Sequence, residues 1–211
     1  MIKSGGTMLA IELFEGVKHD MKRNKIQIML GDRFPLAQAA LEYAQVFHSG
    51  LRKDGVTPEF DHQVSIVRFM LKLVPHLKHP DETLAVGFLH DVSEDYKVPF
   101  GDLSAKFGQR VGRGVNLVTK KFDKVHRRED KLFQLMARDP IASIAKGCDR
   151  VHNQSTMKPF TPSKKNSYLD FTDDMIIPML LEAQKNFPQQ SPAYDMILRV
   201  LGYQKKSHYS S

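Results

Sequence analysis

The chain has 211 residues, 41% of them hydrophobic and 26% charged, a balance that excludes disorder as the main state and gives no collagen-like or low-complexity bias. Thirty-one lysines and arginines against 24 aspartates and glutamates leave a net charge of +7, which favours a polyanionic partner without singling out nucleic acid. The single cysteine, Cys148, excludes an intrachain disulfide and points to a reducing, cytoplasmic compartment. The longest apolar runs, such as 85–89 and 175–181, fall far short of the roughly 20 residues that span a bilayer. The stretch 8–16 carries two acidic residues inside what would be a signal peptide's apolar core, so secretion is not expected.

Taken in chain order, the pattern predicts an all-α domain. Asp32 can cap a helix starting near Pro35, whose stripe Leu36, Ala40, Tyr43 and Phe47 runs until Gly50 ends it. The loop Arg52-Lys-Asp-Gly-Val-Thr-Pro is turn-rich, and after it His62, Ile66, Phe69 and Leu73 repeat with helical spacing up to Pro75. Asp81 opens the most hydrophobic helix, apolar at Leu84, Ala85, Phe88, Leu89 and Val92. Helical periodicity continues over 103–107, 111–118, 128–138 and 140–156, and no segment alternates as a strand would. Two further helices are expected over 170–201, broken near Pro188 and Pro192, before a polar end that should fray.

His90 and Asp91 stand near the end of that hydrophobic helix, where an imidazole and carboxylates have little reason to sit unless they meet a partner. Glu94 lies four residues beyond His90 and Asp95 four beyond Asp91, which crowds three carboxylates and one imidazole at a helix end. A bound divalent cation would relieve their repulsion, and an exposed polar helix end would carry the same residues. His62 at a helix start and Asp149, on one face with Asn153 and Thr156, occupy similar positions.

Together, His62, His90-Asp91 with Glu94-Asp95, and Asp149 resemble the HD-domain metal phosphohydrolases, and more closely the hydrolase domain of the RelA/SpoT alarmone enzymes. The resemblance spans roughly Pro35 to Thr156. It rests on Ala44-Gln-Val-Phe-His-Ser-Gly-Leu-Arg-Lys-Asp-Gly, Leu84-Ala-Val-Gly-Phe-Leu-His-Asp-Val-Ser-Glu-Asp and Asp149-Arg-Val-His-Asn, in that order and at domain-sized separation. The resemblance implies a single HD-domain helical bundle with its metal site in the helical core. The divisions expected are an N-terminal helical extension (1–34), the phosphohydrolase core (35–160), C-terminal helices packing on it (161–203) and a frayed tail (204–211).

The resemblance further implies that His62, His90, Asp91 and Asp149 hold a divalent metal, Mn2+ most often in this family, while Glu94 and Asp95 orient water and move protons. It places Arg52 and Lys53 at the nucleotide, Asn153 and Thr156 near ribose or phosphates, and Lys120 as a further phosphate contact. The implied reaction removes pyrophosphate from the 3′ position of guanosine tetra- or pentaphosphate, and the chain's length resembles a stand-alone small alarmone hydrolase. The partner expected is therefore a nucleotide, not a membrane or a specific nucleic-acid sequence; oligomeric state is left open. Departures from the family pattern are Leu51 for a glutamine, Gln63 for a proline, Tyr96 for a threonine, and Val56-Thr-Pro-Glu-Phe for the usual Gly-Glu-Pro-Tyr. The alternatives that remain open are an HD phosphatase acting on NADPH or another nucleotide, and an inactive metal- or nucleotide-binding sensor.

Overall fold

The structure, a computed structural model, describes residues 19–52 and 57–209; segment 1–18 and Lys53 lie outside the described residues. In chain order it contains α1 (His19–Leu30), α2 (Pro35–Phe47), α3 (Asp61–Leu73), α4 (Pro80–Leu89), α5 (Val92–Tyr96), α6 (Phe100–Phe107) and α7 (Gln109–Val118). A hairpin of β1 (Lys121–Phe122) and β2 (Val125–His126) follows, then α8 (Glu129–Met136), α9 (Ala142–Ser155), α10 (Pro162–Phe171), α11 (Ile177–Asn186) and α12 (Ser191–Tyr209).

Beyond its acidic first turn, helix α4 is buried on every side: Thr83 through Leu89 are all buried, enclosed by α2, α3, α7 and α9. Gly87 allows α3 to approach: a Cβ there would stand 2.7 Å from Met70 Sδ and 2.9 Å from Val67 Cγ2. The two helices run antiparallel, so this contact sets the start of α3 beside the end of α4. Helix α9 is buried along nearly its whole length and packs on α3, α4, α7, α11 and α12.

Several expectations are corrected. The cap of α2 is not Asp32: Asp81, from the first turn of α4, accepts hydrogen bonds from the backbone N–H of Leu36 (3.1 Å) and Ala37 (2.9 Å). The face of α2 that is fully buried is Ala37, Ala40, Leu41 and Ala44, with Leu36, Tyr43 and Phe47 only partly covered beside it. Small residues win that face because α4 packs so closely.

The hairpin was not expected because its turn contains no glycine: Asp123 (φ 47°) and Lys124 (φ 69°) both take the left-handed conformation that a two-residue type I′ turn requires. Residues 204–209 are helical in the structure. They continue α12, where the buried Gln204 donates its amide to Val151 O at 3.1 Å and Gln154 donates back to Leu201 O at 3.1 Å. A single π-type turn, Thr172–Ile176, joins α10 to α11 and widens the helix ahead of Pro178, whose ring would collide with the Asp174 carbonyl in a regular α-helix. Among the described residues, no helix is long and apolar enough to cross a membrane.

Candidate active site

Three helices deliver the central side chains. His62 stands in the first turn of α3, His90 and Asp91 at the break between α4 and α5, and Asp149 midway along α9. The break is a correction too, since sequence periodicity runs α4 and α5 together as one helix. His90 Nε2 lies 3.3 Å from His62 Nε2, 3.0 Å from Asp91 Oδ2 and 3.8 Å from Asp149 Oδ1. His62 Nε2 lies 3.7 Å from Asp91 Oδ2 and 3.3 Å from Asp149 Oδ1.

The surrounding bonds turn these atoms inward. His90 Nδ1 donates to Gly87 O at 2.9 Å, which leaves Nε2 facing the cluster. His62 Nδ1 meets His152 Nδ1 at 2.7 Å, so His62 offers Nε2 as an acceptor when Nδ1 carries the shared proton. Lys146 Nζ holds Asp149 Oδ2 at 2.8 Å, and the Asn153 amide donates to Oδ1.

Electrostatics follow from the crowding. Burial pulls the His90 imidazole down, yet the adjacent charges of Asp91 and Asp149 outweigh it and hold His90 up at about 9. Burial likewise raises both carboxyls, and the cations beside them win: His90 holds Asp91, and Lys146 first of all holds Asp149, below the usual carboxylate range. His62 is lowered by burial, against the opposing hydrogen bond to Asp149. The cluster is thus two ionised carboxylates facing the His90 imidazolium and the neutral His62 imidazole, and a bound cation would take the place of the His90 proton.

That set fits a divalent ion. Bonds of about 2.0–2.3 Å from one cation to nitrogen and oxygen donors put neighbouring donors about 3 Å apart, and the distances here, 3.0–3.8 Å, need only small contraction. His62, His90 and Asp91 group by mutual distance, and Asp149 joins them through the two imidazoles.

A cavity of about 670 Å³, the size of a small-ligand site, opens above the cluster with His62, Asp91 and Asp149 in its floor. Arg52, Asn153 and Thr156 line it as the sequence leads one to expect. Backbone bonds Arg52 N to Thr57 O (2.8 Å) and Glu59 N to Gly50 O (2.9 Å) hold the loop that carries Arg52.

Two other expected residues point elsewhere. Glu94 Oε2 accepts the backbone N–H of Lys120 (2.9 Å) and Lys121 (3.4 Å), which ties it to the base of the hairpin. Lys120 does not reach the cavity: its ammonium pairs with Glu129 at 3.1 Å and lies over the Phe171 ring at 4.3 Å. Asp95 carries the most telling shift, with its carboxyl pushed up to about 6 by desolvation and by the charges of Asp91, Glu94 and Glu59.

No family model matches the chain. It is 32% identical over 152 residues to the probable GTP pyrophosphokinase of Mycobacterium leprae, an alignment that covers 68% of this chain and 19% of that protein. It is 30% identical over 145 residues to the probable guanosine-3′,5′-bis(diphosphate) 3′-pyrophosphohydrolase of Synechocystis, covering 65% of this chain and 19% of that protein. The chain is a homologue of the RelA/SpoT-type alarmone enzymes.

The guanosine-3′,5′-bis(diphosphate) 3′-pyrophosphohydrolase of Aquifex aeolicus is 28% identical over 147 residues, 67% of this chain and 20% of that protein. The chain spans about a fifth of the length of the curated relatives it matches. A solved structure described as a metazoan ortholog of SpoT that hydrolyses ppGpp and plays a role in starvation responses superposes with a TM-score of 0.57 at 20% identity, covering 78% of this chain and 94% of that one. The all-α HD hydrolase fold expected from the motifs is therefore the fold observed.

The cavity of this alarmone-enzyme homologue also contains residues that sequence reasoning passed over. Phe160, Lys164 and Tyr168 line it together with Arg52. Behind Tyr168, the buried Arg150 guanidinium stacks at 3.9 Å on its ring. Nothing in the spacing of α10 marks it as a cavity wall; only Pro162 after Thr161, whose hydroxyl caps the helix by accepting from Lys164 N, marks where it starts.

Proposed function

We propose that this chain is a divalent-metal-dependent phosphohydrolase that cleaves the 3′-diphosphate from guanosine tetra- or pentaphosphate, giving pyrophosphate and GDP or GTP. The observation that carries this reading is the convergence of His62, His90, Asp91 and Asp149, three of which (His62, Asp91 and Asp149) lie in the floor of a nucleotide-sized cavity, in a homologue of enzymes named for that reaction. Those four residues would hold the ion, Mn2+ by the family resemblance, which supplies Lewis-acid chemistry and makes water more acidic.

The chain's own groups do the rest. Asp95, with its carboxyl raised to about 6, takes a proton from the attacking water near neutral pH. Glu94 fixes the adjoining edge of the cleft through Lys120 N and Lys121 N. Arg52 and Lys164, with Lys53, bind phosphates, and Asn153 and Thr156 the ribose side. Lys120 acts through its charge rather than by contact. We take the compartment to be the cytoplasm, in keeping with the single, buried Cys148.

The test is to incubate metal-free protein with guanosine tetraphosphate, NADPH and GTP, with and without Mn2+, and to resolve the products by ion exchange. Mn2+-dependent GDP plus pyrophosphate is the expected result. Orthophosphate from another nucleotide, with the tetraphosphate untouched, would keep the hydrolytic centre and move the substrate; no turnover of any would overturn the enzyme reading.

A further inference from the structure

Among the described residues, positions at which this chain departs from the alarmone-hydrolase pattern are scattered in sequence but lie together: Leu51, Glu59 and Gln63 line the cavity, and Tyr96 bonds to Glu59. Leu51 pairs with Pro58 across the loop, and Glu59 follows. Glu59 Oε2 accepts the Tyr96 hydroxyl at 2.8 Å. The Tyr96 ring stands edge-on to His48 with centroids 4.9 Å apart, His48 Nε2 lies 3.3 Å from the Gln63 amide, and that amide reaches Asp91 Oδ2 at 3.5 Å. A carboxylate in the cavity wall is thereby tied, through Tyr96 and Gln63, which replace the family's usual residues, and through His48 between them, to the His–Asp cluster.

We propose that Glu59 is a specificity-determining residue that reads the hydrogen-bond donor edge of a guanine base, with Tyr96 as its positioning residue. The inference rests on the nucleotide-hydrolase reading above and adds which part of the substrate meets which wall.

Glu59 lines the cavity one turn before His62, whose backbone N–H bonds to Glu59 O at 3.2 Å. Its carboxylate therefore stands beside the metal cluster and not on it, and a ribose bridges that kind of gap between a 3′-phosphorus and a base. The side chain is held between Tyr96 and Gly50: a Cβ on Gly50 would touch Glu59 Oε2 at 3.4 Å. Desolvation and the Glu59 bond keep the Tyr96 hydroxyl protonated as the donor, so Oε2 is engaged and Oε1 has no partner among the described residues.

Charge decides what can approach. A carboxylate repels a diphosphate, and the cavity's cations, Arg52 and Lys164, offer the phosphates other places. What a carboxylate accepts is a pair of N–H donors. Guanine presents such a pair at N1 and N2, whereas adenine presents a lone pair at N1, which would face the carboxylate unpaired.

The experiment compares kcat/KM of the Mn2+-loaded protein for guanosine 3′,5′-bis(diphosphate) and its adenosine counterpart. The wild type is expected to favour guanine by about fivefold or more, the low end of what a bidentate base contact contributes. Glu59→Gln should abolish or invert that ratio, because a carboxamide accepts from adenine N6 and donates to N1, while Mn2+ affinity stays unchanged. Tyr96→Phe should lower the ratio by a smaller factor, through KM more than kcat. A Glu59→Gln protein that turns over both nucleotides with the wild-type ratio, within about twofold, would overturn this inference and leave the hydrolase reading standing. A wild type that hydrolyses neither nucleotide would overturn both.

Discussion

The floor of the cavity and the hairpin at its edge are built in opposite ways. The floor is three buried helices pressed together, so closely that Gly87 cannot gain a Cβ without displacing Met70 or Val67. The hairpin has two-residue strands with mostly exposed side chains, both turn residues left-handed without being glycine, and Glu94 and Arg127 as anchors: Arg127 donates to Asn116 Oδ1 at 2.9 Å and Thr119 O at 3.1 Å. The floor has one geometry because packing leaves no other, and this is what ligation needs. The hairpin is held by a few polar bonds and by the Phe122 ring against Phe100, centroids 4.8 Å apart, with far less buried packing than the floor.

Breaking the floor should have the largest effect. Asp149→Ala removes a donor from the cluster and leaves Lys146 unpaired, so Mn2+ binding by calorimetry and turnover should both be lost, the latter by about 10³-fold or about 4 kcal/mol of barrier. Retained Mn2+ affinity would remove Asp149 from the ligand set.

Asp95→Asn should slow turnover by about a hundredfold and flatten the fall in rate below pH 6, since only the ionised carboxylate accepts a proton. The same substitution has an opposite signature in stability. A carboxyl whose pKa is raised in the folded state costs stability as pH rises through the ordinary aspartate range up to about 6. In metal-free protein, Asp95→Asn should therefore raise Tm at pH 7.5, with the gain gone below pH 4. A wild-type Tm at both pH values would show that Asp95 is not crowded.

Gly87→Ala tests the packing alone. It should cost about 1–3 kcal/mol in urea unfolding and weaken Mn2+ binding, because α3 and α4 must separate. The smallest effect belongs to the hairpin: Lys124→Gly should stabilise by at most about 1 kcal/mol, since glycine avoids the roughly 1–2 kcal/mol that the left-handed turn costs lysine but loses more freedom on folding, and should leave Mn2+ affinity untouched.

What was legible in the sequence follows the same division. His62, His90, Asp91 and Asp149 stood out because imidazoles and carboxylates interrupt otherwise apolar helices, and three helix periodicities place them on inward faces. Glu94 and Lys120 were harder to place, because their directions depend on the break at His90–Asp91 and on a hairpin without a glycine signal. Asp81 gave no local hint that it caps α2, and the polar end of α12 none that Gln204 is buried, for both bond to chain far away in sequence. The wall of Phe160, Lys164 and Tyr168 is assembled only when α10 folds back over α9.

The Asp81 cap also alters how α2 can open. In most helices the first backbone N–H groups are the quickest to exchange hydrogen with solvent, because nothing within the helix covers them. Here the amides of Leu36 and Ala37 are closed by a carboxylate that belongs to α4, the helix that ends at Leu89, just before His90. Their exchange is therefore a clock for the separation of α2 from α4 rather than for fraying, and it offers a way to watch the helix that leads into His90 loosen from its opposite end.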